Sequence, residues 1–212
     1  MSMVKPQIHV LSRENREQVH RYSLDILSRV GIRVDFKPTR DLFAAKGFKV
    51  DDSQRVFIPA ERVDWALTHA PSVVDIYNRN GKPAFTLGNG ENCPTRFGVG
   101  VTNLYYQHPD DDRVEPFDRE HMALASTLGD ALNQFDLVAT PGVLKNQPPD
   151  TADLIGTLEM LANTVKPLVL LVSNPQCFNI TLDMLAHLTG ELNQHPYLIP
   201  YFNPITPLVL NE

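Results

Sequence analysis

Three apolar runs recur at nearly constant spacing in the second half of the chain: FDLVATP, PLVLLVSNP and YLIPYFNP. Phe135 and Leu168 lie 33 residues apart, and Leu168 and Tyr197 lie 29 apart. None of the runs alternates apolar with polar positions. A strand without alternation is buried on both faces, as happens inside a parallel sheet covered by helices. Helix-period segments separate the runs. DTADLIGTLEMLANTVK carries Leu154, Leu158, Leu161 and Val165 as an inward stripe, with Asp150 as its N-cap. CFNITLDMLAHLTG ends at Gly190. DREHMALASTLGDAL precedes the first run, with Asp118 as its cap and Met122, Ala125, Leu128 and Leu132 along one face. A strand–loop–helix repeat of this length restricts the chain to an α/β fold, either a doubly wound open sheet or a (β/α)₈ barrel. No GxGxxG follows any of the runs, so a dinucleotide-binding sheet has no support. Residues 135–140, 168–173 and 197–202 are expected to be adjacent parallel strands with their helices on one outer side.

Residues 1–117 have a different texture. Ser12 can cap a first helix, with Val19, Tyr22, Ile26, Leu27 and Val30 on one face and Gly31 beyond its end. IRVDF reads as a strand, TRDLFAAKG as a short helix, and FKVDDSQRVFIP as a hairpin turning at DDSQ. PAERVDWALTHAP is a helix between prolines, and NRNGKP marks a second hairpin. TRFGVGVTNLYYQHPDDDRVEPF is a further β segment turning at HPDDDR. The expected organisation is an N-terminal α+β, hairpin-rich extension with the first barrel elements over 1–117, then βα units over 118–212. A complete barrel takes about 250 residues, so the chain is expected to be half of one, a partial barrel. Open edges on such a half predict a homo-oligomer.

Composition narrows the partners. With a formal net charge of −6, the chain lacks the clustered Lys and Arg that nucleic acid or an anionic membrane requires. No 18-residue apolar stretch and no signal-peptide pattern occur, which predicts a cytoplasmic protein. Cys93 and Cys177 have no metal-ligand spacing and read as free thiols.

In both candidate folds, function gathers where strands end. Those ends supply Thr140-Pro141, Ser173-Asn174-Pro175 and Asn203-Pro204. They are amides and hydroxyls, with no His, Lys, Asp or Glu for acid–base work or metal ligation. Asn174 suits a helix cap equally well. The seven histidines read as ordinary helix, loop or turn residues, and HPDDDR as a solvated turn. In FGVGVTNLYY, two glycines permit close approach of a backbone or a ligand. Phe97, Tyr105 and Tyr106 are either core or an aromatic wall for a quaternary ammonium group.

YSLDILSRVGIRVD, RVFIPAERVDWALTHAPSVVDIYNRNG, RFGVGVTNLYY, DREHMALASTLGDALNQFDLVATPGV, LEMLANTVKPLVLLVSNP and FNPITPL follow in an order that resembles the trimethylamine methyltransferase family. The resemblance runs from about Arg16 to the end. It implies a (β/α)₈ barrel with an N-terminal extension, and transfer of a methyl group from a methylated amine to the cobalt of a corrinoid (cobalamin) protein. Some family members use pyrrolysine, at a position that would lie beyond Glu212, and others act on betaine-type substrates. In a parallel barrel all strand C-terminal ends face the same way, so Phe97, Asn103, Tyr105, Thr140, Asn174 and Asn203 are expected to cluster at one open substrate mouth. No residue in the span is assigned as catalytic. A non-catalytic half-barrel and an unrelated barrel lyase are the competing expectations.

Overall fold

A computed structural model describes residues 10–88, 93–190, 192–201 and 208–210. The element order is α1 (Arg13–Arg29), β1 (Ile32–Val34), α2 (Lys37–Ala45), β2 (Lys49–Val50), β3 (Arg55–Phe57), α3 (Ala60–His69), β4 (Val73–Tyr77), β5 (Pro83–Gly88), β6 (Gly98–Val99), β7 (Tyr105–Gln107), β8 (Val114–Pro116), α4 (Arg119–Ala131), β9 (Leu137–Ala139), α5 (Pro149–Asn163), β10 (Leu168–Leu171), α6 (Pro175–Thr189), β11 (Leu198–Tyr201) and β12 (Val209–Leu210). Contacts divide the chain into two compact units, Met1–Ala70 with Asn203–Glu212, and Pro71–Phe202.

In the first unit, Ser12 caps α1 by accepting the Asn15 N–H at 3.1 Å. The sheet order is β12-β1-β3-β2, with β1 parallel to β12 and antiparallel to β3. Val34 and Val56 are its buried centre. The apolar stripe of α1 forms as the spacing predicts, but Val19, Tyr22, Ile26 and Val30 on it are exposed.

The second unit contains a four-stranded parallel sheet of order β11-β10-β9-β6. Val138 pairs with Leu168, and Leu168 with Leu198, so the three apolar runs are adjacent and parallel. The sheet also includes β6, which pairs with β9 through Gly98–Leu137 and Val99–Val138. Spatial order follows chain order, with no reversal among the described strands. Helices α4, α5 and α6 pack each on the next. Beneath them lies a core of Phe117, Met122, Val138, Met160, Leu161, Leu168, Leu185 and Tyr197, and each such side chain contributes about 1.5–3 kcal/mol by leaving water. The hairpin β4–β5 belongs to this unit, since Tyr77 N–H donates to Pro196 O at 2.9 Å and Arg79 N–H to Val165 O at 2.9 Å.

The helix faces differ from the leucine stripes read in the sequence. Leu128 and Leu158 are exposed, while Ser126, Gly129, Gly156 and Thr157 are buried with Met122 and Met160. The reason is proximity, because small residues let the helices lie close on the strands. A Cβ on Gly129 would sit 2.5 Å from Val99 Cγ1. Helix α5 starts at Pro149, after Pro148 as N-cap, so Asp150 stands in its first turn and does not cap it.

Candidate functional site

The C-terminal ends of β6, β9 and β10 lie side by side and are tied together by hydrogen bonds. Thr102 N–H donates to Thr140 O at 2.8 Å, and Asn103 Nδ2 donates to Pro141 O at 2.7 Å. Val143 N–H returns to Asn103 O at 2.9 Å. Thr140 lies just past β9, where its hydroxyl donates to Val169 O at 3.2 Å and accepts from Leu171 N–H at 2.9 Å. It therefore replaces a missing ladder bond. Asn174 caps α6 by accepting the Gln176 N–H at 2.9 Å.

Asp153, on α5, holds the next loop. One of its carboxylate oxygens accepts the Ser173 N–H at 2.7 Å and the Asn174 N–H at 3.0 Å. Thr140, Asp153 and Ser173 together line a cavity of about 20 Å³. That is room for one water and not for a methylated amine.

The predicted mouth residues are only partly brought together. Asn103 and Thr140 meet through the Pro141 backbone, and Asn174 joins them through Asp153. Tyr105 stands at the base of the hairpin β7–β8, paired with Pro116 and 63% exposed. Phe97 precedes β6, where its N–H donates to Asp136 Oδ2 at 2.9 Å and its carbonyl accepts the Asp136 N–H at 2.7 Å. It therefore lies at the end of the sheet opposite Thr140. Asn203 lies outside the described residues. The glycines of FGVG admit the backbone of β9. A Cβ on Gly100, at φ +107, would come within 2.1 Å of Ala139 O.

Titratable groups converge where the sequence suggests only scattered histidines. The hairpin β7–β8 is inserted between β6 and α4, and its register pairs Tyr106 with Glu115. Side chains two apart share a face, so His108, Tyr106 and Glu115 stand together. His121 reaches them from the first turn of α4, three residues after the N-cap Asp118. Glu115 Oε1 accepts from His108 Nε2 at 2.8 Å and lies 3.1 Å from His121 Nε2. The His108 hydrogen bond, with Arg113 and both rings nearby, holds the Glu115 carboxyl below the usual glutamate range against partial desolvation. Tyr106 stacks on His121 with centroids 4.2 Å apart. The signal that could have found the group combines strand period with turn position: a hairpin turning at HPDDDR places His108 and Glu115 diagonally.

The family description Trimethylamine methyltransferase (MTTB) matches residues 2–212. A glycine betaine methyltransferase of Desulfitobacterium hafniense (strain Y51) is 24% identical over 225 residues, covering 100% of this chain and 44% of the relative. The trimethylamine methyltransferase MttB of Desulfitobacterium hafniense (strain DSM 10664 / DCB-2) is 26% identical over 201 residues, covering 93% of this chain and 40% of the relative. MttB1 of Methanosarcina acetivorans, also a trimethylamine methyltransferase, is 26% identical over 167 residues, covering 76% and 33%. The chain thus spans less than half the length of these curated relatives. With the match extending over nearly every residue, the chain belongs to the trimethylamine methyltransferase family.

Proposed function

We propose that this chain is part of a methyltransferase that takes a methyl group from a tertiary or quaternary amine and passes it to a corrinoid carried by a partner protein. The observation that carries this reading is the family match over residues 2–212, together with relatives named for trimethylamine and glycine betaine. The parallel strands are read as an arc of a (β/α)₈ barrel. Their sequential order without reversal supports it, because doubly wound sheets reverse order at a switch point. Relatives more than twice as long have the residues to complete such a barrel and its substrate chamber.

A Co(I) corrinoid supplies the strong nucleophile, so the chain's own residues bind and orient. The strand ends suit that role, since Asn103, Thr140 and Asn174 are neutral and Asn103 Nδ2, the Thr140 hydroxyl and Asn174 Oδ1 help fix the wall. Tyr105 is the exposed aromatic beside that wall and is assigned to the methylated ammonium. In the same reading the protein is cytoplasmic and self-associates. Free Cys93 and Cys177 support the first, and the exposed α1 stripe supports the second.

Calorimetric titration with trimethylamine, glycine betaine and 3,3-dimethylbutanoate, the betaine analogue in which a neutral tert-butyl group replaces the trimethylammonium, tests the site. A cation–π contact contributes roughly 0.5–2 kcal/mol, so Tyr105→Ala should weaken the cations by about 2- to 30-fold. The carbon analogue should change less than twofold. Equal weakening of all three would make Tyr105 a packing residue. Failure of the complete enzyme to demethylate either amine with a reduced corrinoid protein would overturn the function.

A further inference from the structure

We propose that His108, Glu115 and His121 form a binding site for a divalent first-row transition metal of the zinc class, with Nε2, Oε1 and Nε2 as ligands. The three ligand atoms lie within 4.8 Å of one another. Two imidazoles and a carboxylate are a donor set that zinc takes when a fourth position is left to water. Bonds of about 2.0–2.1 Å at the tetrahedral angle separate ligand atoms by about 3.3 Å. Glu115 Oε1 now stands 2.8 Å from one imidazole and 3.1 Å from the other. Admitting the metal widens these two separations by a few tenths of an ångström and brings the two imidazole nitrogens, at most 4.8 Å apart, to about 3.3 Å from each other.

The surroundings are those of a metal site as well as of a hydrogen-bonded lock. A ligating histidine usually passes its other ring N–H to a carboxylate, which orients the ring and raises its basicity. His121 Nδ1 lies 2.9 Å from Asp118 Oδ1 and accepts the Asp118 backbone N–H at 3.2 Å, so a metal at Nε2 moves the ring proton to Nδ1, which then donates to Oδ1 in place of accepting that N–H. The second oxygen of Glu115 has its own partner in Arg113, at 3.4 Å, which leaves Oε1 for the metal. Tyr106 stacks on His121 and meets His108 edge-on at 4.9 Å, so both rings are held in position before any ion arrives. Arg113 also approaches His108 Nδ1 at 3.4 Å, and metal binding at Nε2 releases that long contact. A solvent-open concavity lined by Glu115, Pro116, Asp118, Lys145 and Asn146 gives an ion and its water a way in. The site is separate from the methyl-transfer reading, because none of its three ligands is assigned to the amine.

The experiment titrates the untagged, metal-free full chain with Co²⁺, read by its ligand-field absorption, and then displaces it with Zn²⁺. One equivalent should bind with the intense bands of a four-coordinate site. His108→Ala and Glu115→Gln should each weaken binding by roughly 100-fold or more. Asp118→Asn keeps the helix cap, since Asn caps as well as Asp, yet should weaken the metal by about 10- to 100-fold. His187→Ala, on the exposed side of α6, should change nothing. Far-UV circular dichroism confirms that each variant is folded, and Glu115→Gln serves if His108→Ala is not. Octahedral weak bands, no stoichiometric binding, or equal affinity in Glu115→Gln and the parent chain would overturn the proposal.

Discussion

Replacing Gly100 with alanine should damage the parallel sheet more than any other glycine substitution at the C-terminal end of its strands. Gly100 leaves β6 at φ +107, which L side chains rarely adopt. An added Cβ would lie 2.1 Å from Ala139 O and 3.1 Å from Pro141 Cα. Both neighbours are backbone, so no side chain can rotate away. Strain at such a φ costs about 1–3 kcal/mol, and overpacking adds about 1–3 kcal/mol. The sum of about 2–6 kcal/mol is a large share of a domain's usual 5–15 kcal/mol. Gly190 separates the two contributions. It has φ +79, but nothing stands within 4 Å of an added Cβ, so Gly190→Ala should cost only the conformational part, about 1–3 kcal/mol. Urea unfolding of the full chain, followed by far-UV circular dichroism, compares them. With a slope of about 1–3 kcal/mol per molar urea, the Gly100→Ala midpoint should fall below that of Gly190→Ala by about 1 M. Equal midpoints would show that β9 yields at no cost and that the close approach does not fix the strand pair.

Asp153→Ala leaves the Ser173 and Asn174 N–H groups without their acceptor and should destabilise by about 1–3 kcal/mol, with Asp153→Asn losing less than half of that in the same urea assay. Asn174→Ala removes the α6 cap and should cost about 0.5–2 kcal/mol, whereas Asn174→Asp should be close to neutral. The carboxyl of Asp35 is held below the ordinary aspartate range chiefly by its hydrogen bond from Arg33. Its contribution is therefore present above about pH 3.9 and is lost as pH falls through the lower folded value. Carboxyl NMR should give a midpoint below about 3.9 that Arg33→Met returns to the ordinary range.

How much of the fold was legible in the sequence depended on whether the signal was local. Non-alternating runs with a 30-residue spacing imply a buried parallel sheet, and Val138, Leu168 and Leu198 pair accordingly. Caps are local too, so Ser12, Asp118 and Asn174 stand at their helix starts. The inward helix faces were not legible, because leucine spacing measures amphipathicity while close packing on strands selects Gly129, Gly156 and Ser126. The change of texture at Asp118 marks where the regular alternation of helices with parallel strands begins, whereas the compact unit starts at Pro71, since the β4–β5 hairpin is bonded to the later chain at Pro196 and Val165. The His108–Glu115–His121 group escapes a linear reading for a similar reason. It requires a hairpin register and a helix turn to be combined across 13 residues, and no linear motif encodes that.

The arrangement also says where chemistry has room to enter this end of the sheet. Every polar strand-end side chain whose bonds are described is spent on backbone: Asn103 on Pro141, Thr140 on Val169 and Leu171, Asn174 on Gln176. Such saturation makes a rigid rim, and rigidity is what a reaction limited by orientation needs. It also removes these groups as proton carriers. Asp153, a titratable group on this rim, is likewise engaged by the Ser173 and Asn174 N–H groups, and the insertion between β6 and α4 brings a further set in His108, Glu115 and His121. The hairpin costs the sheet nothing, because β6 and β9 pair through Gly98 and Val99 irrespective of its length. Its own stability comes from a different source, the stacked Tyr106 and the shared Glu115 carboxylate against α4. The rim and the hairpin can thus vary independently, one setting shape and the other setting charge.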